Sequence, residues 1–294
     1  MFDILLKEIR VKQSLSQSDA IESLRSLDEF EKLDKVTYSR WENGHTRPSE
    51  IKQISAIFQL STIQLAKKLA RTFTLKNENE TKVIHNRFGS VGDRTLDNFY
   101  LSHRHLSKKV TYEKSHVNPL ISEAYHNAWG NSYNEYNKII EEVGICCYSI
   151  TEFYLDKKHL VGHQIIYFTC INKLESIIKN IGNQFSPSNT SIKGSDYVAV
   201  LACSHSSSDV IFLQNILGVL EYCDKKKFKA RYVYLRLYNT DLKVYAESLG
   251  GTVSTFGPLS SHGLTHFTKT YAWLGFLIPM TSLIRQSPVY ESYI

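Results

Sequence analysis

Apolar residues recur at helical spacing through residues 2–70, and the pattern changes to short apolar runs after about residue 118. Phe2, Leu5, Leu6, Ile9 and Val11 form a stripe, with Arg10 and Lys12 on the other side. Ser16 is placed to cap a second helix, and Asp19 stands where a capping box puts its acidic partner. Ala20, Ile21 and Leu24 give that helix its apolar face. Residues 25–33 are charged, with Leu27 and Phe30 as anchors. Asp34 can cap a third helix, in which Tyr38 and Trp41, three apart, share a core face. Gly44 supplies a left-handed exit, and Pro48 opens the next helix where no backbone N–H is needed. A fourth helix turns Ile51, Ile54, Ile57 and Phe58 inward, and a fifth follows Ser61-Thr62 with Ile63, Leu65, Ala66 and Leu69.

Residues 73–117 read as a connector with some order, polar around 76–81 and with a basic patch at His103-Arg104-His105 and Lys108-Lys109. From residue 118 the pattern is that of an α/β domain. Helices are expected over 121–129 and 133–143, and a hairpin of strands over 145–155 and 160–171 about Asp156–His159. A short helix (174–181) and a loop (182–194) precede the buried strand 197–203. A polar turn, Ser204–Asp209, then leads into the apolar helix 210–222. Next come strand 231–238, helix 241–249 stopped by Gly250-Gly251, and strands 252–256 and 268–277 around a loop at 258–266.

Composition narrows the class. With 42% apolar, 22% charged and 12% aromatic residues, the chain of 294 residues is globular rather than disordered, and long enough for two domains. The net charge of +6 is unevenly spread: residues 1–117 carry 20 Lys/Arg against 15 Asp/Glu, and 118–294 carry 15 against 14. The basic excess sits with the first helices and the segment after them, which fits phosphate contact. The five cysteines (146, 147, 170, 203, 223) include no C-x-x-C and read as reduced core residues of a cytoplasmic protein. Asp3 and the lack of a long apolar start argue against a signal peptide, and the longest apolar run, 271–280, is too short to span a bilayer. Neither His103/His105 nor His262/His266 is completed to a metal set.

The stretch 35–47 has an apolar back and a basic, polar front, as a DNA-reading helix does. Arg10, Leu15-Ser16-Gln17, Ser39-Arg40-Trp41-Glu42-Asn43-Gly44, Pro48 and the Ile54–Leu60 tail together resemble the phage-repressor (XRE, Cro/C1-type) helix-turn-helix family over about residues 2–70. The resemblance implies a five-helix DNA-binding domain, 1–72, acting on double-stranded operator DNA as a homodimer. It implies that Gln17 meets a phosphate at a helix N-terminus, and that Lys35, Val36, Ser39 and Arg40 face base edges. Arg40 and Lys35 suit guanine, and Val36 a thymine methyl. Thr37 and Asn43 share that front, and Thr46 and Arg47 would hold the backbone beyond it. The spacing from Gln17 to Trp41 is several residues longer than is usual in that family, which requires an elongated second helix or an inserted turn near 25–31. The competing reading is a helical bundle used for protein contact.

Strand 197–203, turn, long helix, strand 231–238, Asn239, a short helix ending Leu249-Gly250-Gly251 and a further strand resemble the second half of the GNAT acyltransferase fold. The resemblance implies a 118–294 domain on a mixed, mainly antiparallel sheet, so that the fold is multi-domain, all-α followed by α+β. It implies that Ser204, Ser206, Ser207, Ser208 and Asn239 line a site for acyl-CoA or a related ligand. Two departures weigh against catalysis. The glycine-rich phosphate turn is replaced by Ser204–Asp209, and the position of the general-acid tyrosine falls on Ala246, with Tyr245 one residue early. Glu152 is a possible base on a strand, where an exposed carboxylate is the plainer reading. Ser204-His205 lacks a nucleophile elbow and does not make a hydrolase. The expectation is a cytoplasmic, nucleoid-associated DNA-binding regulator whose second domain senses a ligand or dimerises. The alternative is an acyl-CoA-dependent N-acyltransferase fused to a DNA-binding module.

Overall fold

A computed structural model describes residues 1–73, 106–111, 119–129, 138, 142, 148–180, 183–185, 192–193 and 195–292. The expected helix at 133–143 (apart from residues 138 and 142), Cys146, Cys147 and the patch 103–105 lie outside the described residues. The chain divides into two compact units. One takes in the described residues of Met1–Lys76, Leu220–Lys229 and Met280–Tyr293; the other takes in those of Asn77–Val219 and Ala230–Pro279.

The helical unit begins with α1 (Phe2–Lys12), α2 (Gln17–Arg25), α3 (Lys35–Glu42), α4 (Glu50–Leu60) and α5 (Ile63–Ala70). Each start has a physical cause. Ser16 accepts from the Asp19 N–H while Asp19 accepts from the Ser16 N–H, a complete capping box. Asp34 caps α3 through the Thr37 N–H, and Thr62 caps α5. Between α2 and α3 the chain makes a turn rather than lengthening α2: α2 ends at Arg25, and one turn of 3-10 helix (Asp28–Phe30) follows. Leu27, Phe30 and Leu33 of this segment are buried. Phe30 and Phe2 both meet the Trp41 ring edge-on, at 6.1 and 6.3 Å. Gly44 ends α3 at φ +70°, a value that costs other residues strain. Pro48 lies outside α4, which begins at Glu50, and its carbonyl accepts from Gln53.

In the other unit, β1 (Leu106–Thr111) lies within the segment read as connector. It is followed by α6 (Pro119–Trp129), β2 (Tyr148–Leu155), β3 (His159–Cys170), α7 (Ile171–Asn180), β4 (Gln184–Phe185) and β5 (Tyr197–Ser206). The helix α8 (Asp209–Lys226) belongs to the sheet unit up to Val219 and to the helical unit from Leu220. Then come β6 (Tyr232–Leu237), α9 (Thr240–Ser248), β7 (Thr252–Phe256), β8 (Leu259–His266), β9 (Lys269–Tyr271) and β10 (Leu274–Pro279), and finally α10 (Met280–Ser292) in the helical unit. The segment 258–266, expected as a loop, is largely β8, which pairs with β9 in a hairpin. Its Ser, His and Thr residues suit an exposed two-stranded ribbon, which needs no apolar run.

Eight described strands form one sheet in the order β1-β2-β3-β5-β6-β10-β7-β4. Among the described strands only β5 and β6 run parallel; the crossover between them is α8. This is an α+β mixed sheet, mainly antiparallel. Side chains alternate between its faces. Ile150, Ile165, Tyr167, Val198, Val200, Tyr232 and Tyr234 pack with Ile121 of α6 and with Ile171, Leu174, Ile177 and Ile178 of α7. Gln164 and the hydrogen side of Gly162 meet Asn215 and Ile211 of α8 on the other face. Among the described residues no helix is long and apolar enough to cross a membrane.

Candidate nucleic-acid interface and ligand cleft

Helix α3 has two unlike sides. Its back is locked: Tyr38, Trp41 and Glu42 are buried. Its front carries Lys35, Val36 and Arg40, all exposed, with Thr37 and Ser39 half-buried. Val36 is 68% exposed, which is high for a β-branched apolar residue on a short helix. Lys35 and Arg40 make no side-chain hydrogen bond or ion pair among the described residues. Thr37 Oγ1 donates to Asp34, and the Asn43 amide donates to the Ser39 carbonyl at 2.9 Å, so these two side chains help to close the helix ends. The backbone N–H of His45 and of Thr46 both point to the Arg40 carbonyl, which turns the chain at the end of α3 and leaves Thr46 and Arg47 exposed.

What holds this helix is a charge-assisted cluster. Arg10 of α1 grips Glu42 with Nε at 2.5 Å and Nη2 at 3.2 Å, and its Nη1 donates to the Leu15 carbonyl. Gln17, at the first turn of α2, donates to Glu42 Oε2 at 2.8 Å. One carboxylate thus ties α1, α2 and α3 together. Burial alone would raise the Glu42 pKa, but the bonds from Arg10 and Gln17 outweigh it and hold the carboxyl below its usual range. The Gln17 amide, expected at a phosphate, is spent on Glu42 in this structure. Glu42 itself carried no role in the sequence reading, although a Glu beside a core Trp on a short helix is a usable signal.

The second candidate region lies where β5 and β6 part. Their ladder runs only from Val198 and Tyr232 to Leu201 and Leu235. Beyond that point β5 stays with β3 as far as Ser206, and β6 stays with β10 as far as Leu237. The β3–β5 register shifts between Ile165 and Ile166, leaving Ala202 as the extra residue, a bulge that bends β5. The opening sits at the carboxyl ends of two parallel strands whose flanking order reverses, the kind of place where open sheets bind ligands.

The polar groups predicted to line that opening are mostly engaged. Ser208 is buried and its Oγ accepts from the Ile211 N–H; Asp209 accepts from the Val210 N–H. The first amides of α8 are therefore capped by the chain itself. Ser206 Oγ accepts from the Asn215 amide at 3.0 Å. Asn239 caps α9, its Oδ1 accepting from Asp241 and Leu242. Ser204 and Ser207 are exposed. Ala246 is buried, and Tyr245 is buried beside Phe212. Glu152 is not the exposed strand carboxylate that was the plainer reading: it is 5% exposed and paired with Lys109 at 3.3 Å, because its strand is interior and β1 covers it.

Two arrangements at the opening were not anticipated. His163 Nε2 lies 3.1 Å from Cys203 Sγ, and the His205 ring stacks 6.1 Å from His163. Burial, helped by His205, pushes the His163 pKa down to about 4, and burial pushes Cys203 up to about 12. Both groups are neutral at pH 7, so the thiol keeps its proton and is a poor nucleophile. Among the described residues no three such side chains gather as a metal site. Across the opening, Arg236 lies 4.0 Å over the Trp273 ring. The signal for the first arrangement was His163-Gln164 within an apolar strand, together with Asn215 within an apolar helix. Asn215 donates to the His163 and His205 carbonyls and to Ser206, and receives Gln164 on its own carbonyl.

No protein-family model matches this chain, and no curated protein matches it in sequence.

Proposed function

We propose that this protein is a sequence-specific DNA-binding transcriptional regulator of the phage-repressor helix-turn-helix type, with α3 as the reading helix. The observation that carries the reading is the division of α3: Tyr38, Trp41 and Glu42 are locked from behind, while Lys35, Val36 and Arg40 stand exposed with no competing partner among the described residues. A helix that enters the major groove needs a rigid back and an unengaged front of this kind. Lys35 and Arg40 take guanine O6 and N7, Val36 a thymine methyl, and Thr46 and Arg47 the backbone. One such helix reads only a short half-site, so the active species is a homodimer on a near-palindromic operator, in the cytoplasm and on the nucleoid. The sheet unit serves as its ligand-sensing or dimerising part.

The test is selection of duplexes from a randomised pool by the full-length protein, followed by anisotropy titrations at several salt concentrations. The expected outcome is an enriched motif, affinity falling steeply with salt, and loss of motif preference in Arg40→Ala. Enrichment of no motif, or an equal loss on all duplexes in Arg40→Ala, rejects base reading by α3.

One observation favours a second reading. The strand order, with one parallel pair that parts at its carboxyl ends before a long helix, agrees with the acyltransferase resemblance of the sheet unit. Against turnover stand the self-capped α8 terminus and the neutral His163–Cys203 pair. We therefore assign the opening to ligand sensing. Calorimetric binding of coenzyme A with measurable acetyl transfer would promote the enzyme reading; absence of binding would remove it.

A further inference from the structure

The helical unit is not built from the N-terminal helices alone. Helix α10 packs against α4 and α5, burying Met280, Leu283, Ile284, Val289 and Tyr290. It is pinned by charge at its middle and at its C-terminal end. Arg285 donates from Nε and Nη2 to Glu50, the first residue of α4, at 3.2 and 2.8 Å. Glu291 pairs with Lys67, which is 7% exposed, and with Arg71 at 2.8 Å. Burial would raise the Glu291 pKa, but those two cations outweigh it and keep the carboxyl below its usual range. Lys67 is a near-buried cation with this carboxylate beside it, so the position of α10 matters to α5.

Glu50 also has a place in the chain that gives its pairing a consequence. It directly follows the loop 43–49 that leaves α3 and carries Thr46 and Arg47. Helix α2 packs on both α3 and α4. Fixing α4 therefore fixes the frame in which α3 presents Lys35, Val36 and Arg40. The other end of the chain of connection is covalent. Met280 follows Pro279 without a linker, and Pro279 ends β10, which is hydrogen-bonded to β6, one border of the opening.

We propose that α10 is a control element of the DNA-reading surface: docked on α4 and α5, it holds α3 in its reading geometry, and its release lowers DNA affinity. This rests on the DNA-binding reading above. A ligand between β5 and β6 that shifts β10 has a direct covalent route to α10, which makes the docked helix the element through which such a ligand regulates binding.

The experiment uses the full-length protein with the duplex enriched by the wild type, and amide hydrogen exchange as a readout independent of DNA. Arg285→Glu and Glu291→Lys are each expected to lower affinity about fivefold or more and to speed exchange in α4 and α5. The swapped pairs, Glu50→Arg with Arg285→Glu and Lys67→Glu with Glu291→Lys, are expected to recover both readouts, which separates loss of docking from loss of folding. Unchanged affinity in the single variants, or swaps that recover neither readout, overturns the proposal while leaving DNA binding intact. A wild type that enriches no duplex overturns the DNA-binding reading and this control with it, even if exchange responds to the substitutions.

Discussion

The front of α3 and the turn before α8 were alike in sequence: both are short polar stretches at the edge of a helix, and both were expected to meet phosphate or base. They differ in what their atoms are already doing. On α3 the charged ends of Lys35 and Arg40 have no partner among the described residues, and Val36 is left in solvent. At the turn, Ser206, Ser208 and Asp209 all have hydrogen bonds within the chain, and Asn239 is a helix cap. A polar residue can bind a ligand only with atoms the fold has not used, or at the cost of breaking the bonds they make. That difference is why DNA reading stands first and acyl-CoA chemistry second.

The comparison can be broken most severely behind α3. Glu42→Ala leaves the Arg10 guanidinium and the Gln17 amide without their carboxylate, and should cost about 3 kcal/mol of stability in chemical denaturation. DNA affinity should fall with it. A stable Glu42→Ala protein with full affinity would mean that the back of α3 is not what positions its front.

The neutral His163–Cys203 pair predicts a pH effect of similar size in the other region. The His163 pKa in the fold, about 4, lies below its unfolded value of 6.5, so the unfolded chain binds the extra proton between them. The stability this burial provides is present above pH 6.5 and falls away as the pH drops toward 4, on the order of 3 kcal/mol in total. Urea midpoints of the wild type should decline across that window, and those of His163→Gln should decline less. Equal slopes would show that His163 is not the group that titrates.

Arg40→Ala probes the free front. It should leave the melting temperature nearly unchanged, since an exposed arginine without partners contributes little. It should cost about 2 kcal/mol of binding to the selected duplex. The smallest effect is expected at the spent polar groups. Asn239→Ala should lower stability by about 1 kcal/mol through loss of the α9 cap, and Asn239→Ser should recover most of it. If coenzyme A binds the wild type and Asn239→Ala abolishes that binding without touching stability, the contrast between free and spent groups fails at this residue.

Local causes were legible in the residues. Capping by Ser16 and Asp34, the left-handed exit at Gly44 and the stop at Gly250 depend on contacts a few residues long. The alternation of the strands and the apolar face of α1 are likewise written in spacing. The hairpin of β8 and β9 was missed because an exposed ribbon of Ser, His and Thr has no apolar pattern to betray it. The helix α10 was passed over because its stripe, Met280, Leu283, Ile284 and Tyr290, follows an apolar strand without a turn signal between them.

Sequence alone determined the capped starts of α2 and α3, the inward faces of the N-terminal helices and the basic front of α3, because these follow from nearest-neighbour sterics and periodicity. Only the tertiary structure decided that Glu42 gathers Arg10 and Gln17 from two other helices, and that β5 and β6 part after Leu201 and Leu235. It likewise decided that residues 280–292 pack with helices more than two hundred positions earlier. Those outcomes turn on which distant groups come within hydrogen-bonding range, and a linear pattern carries no information about the partner a polar atom will find.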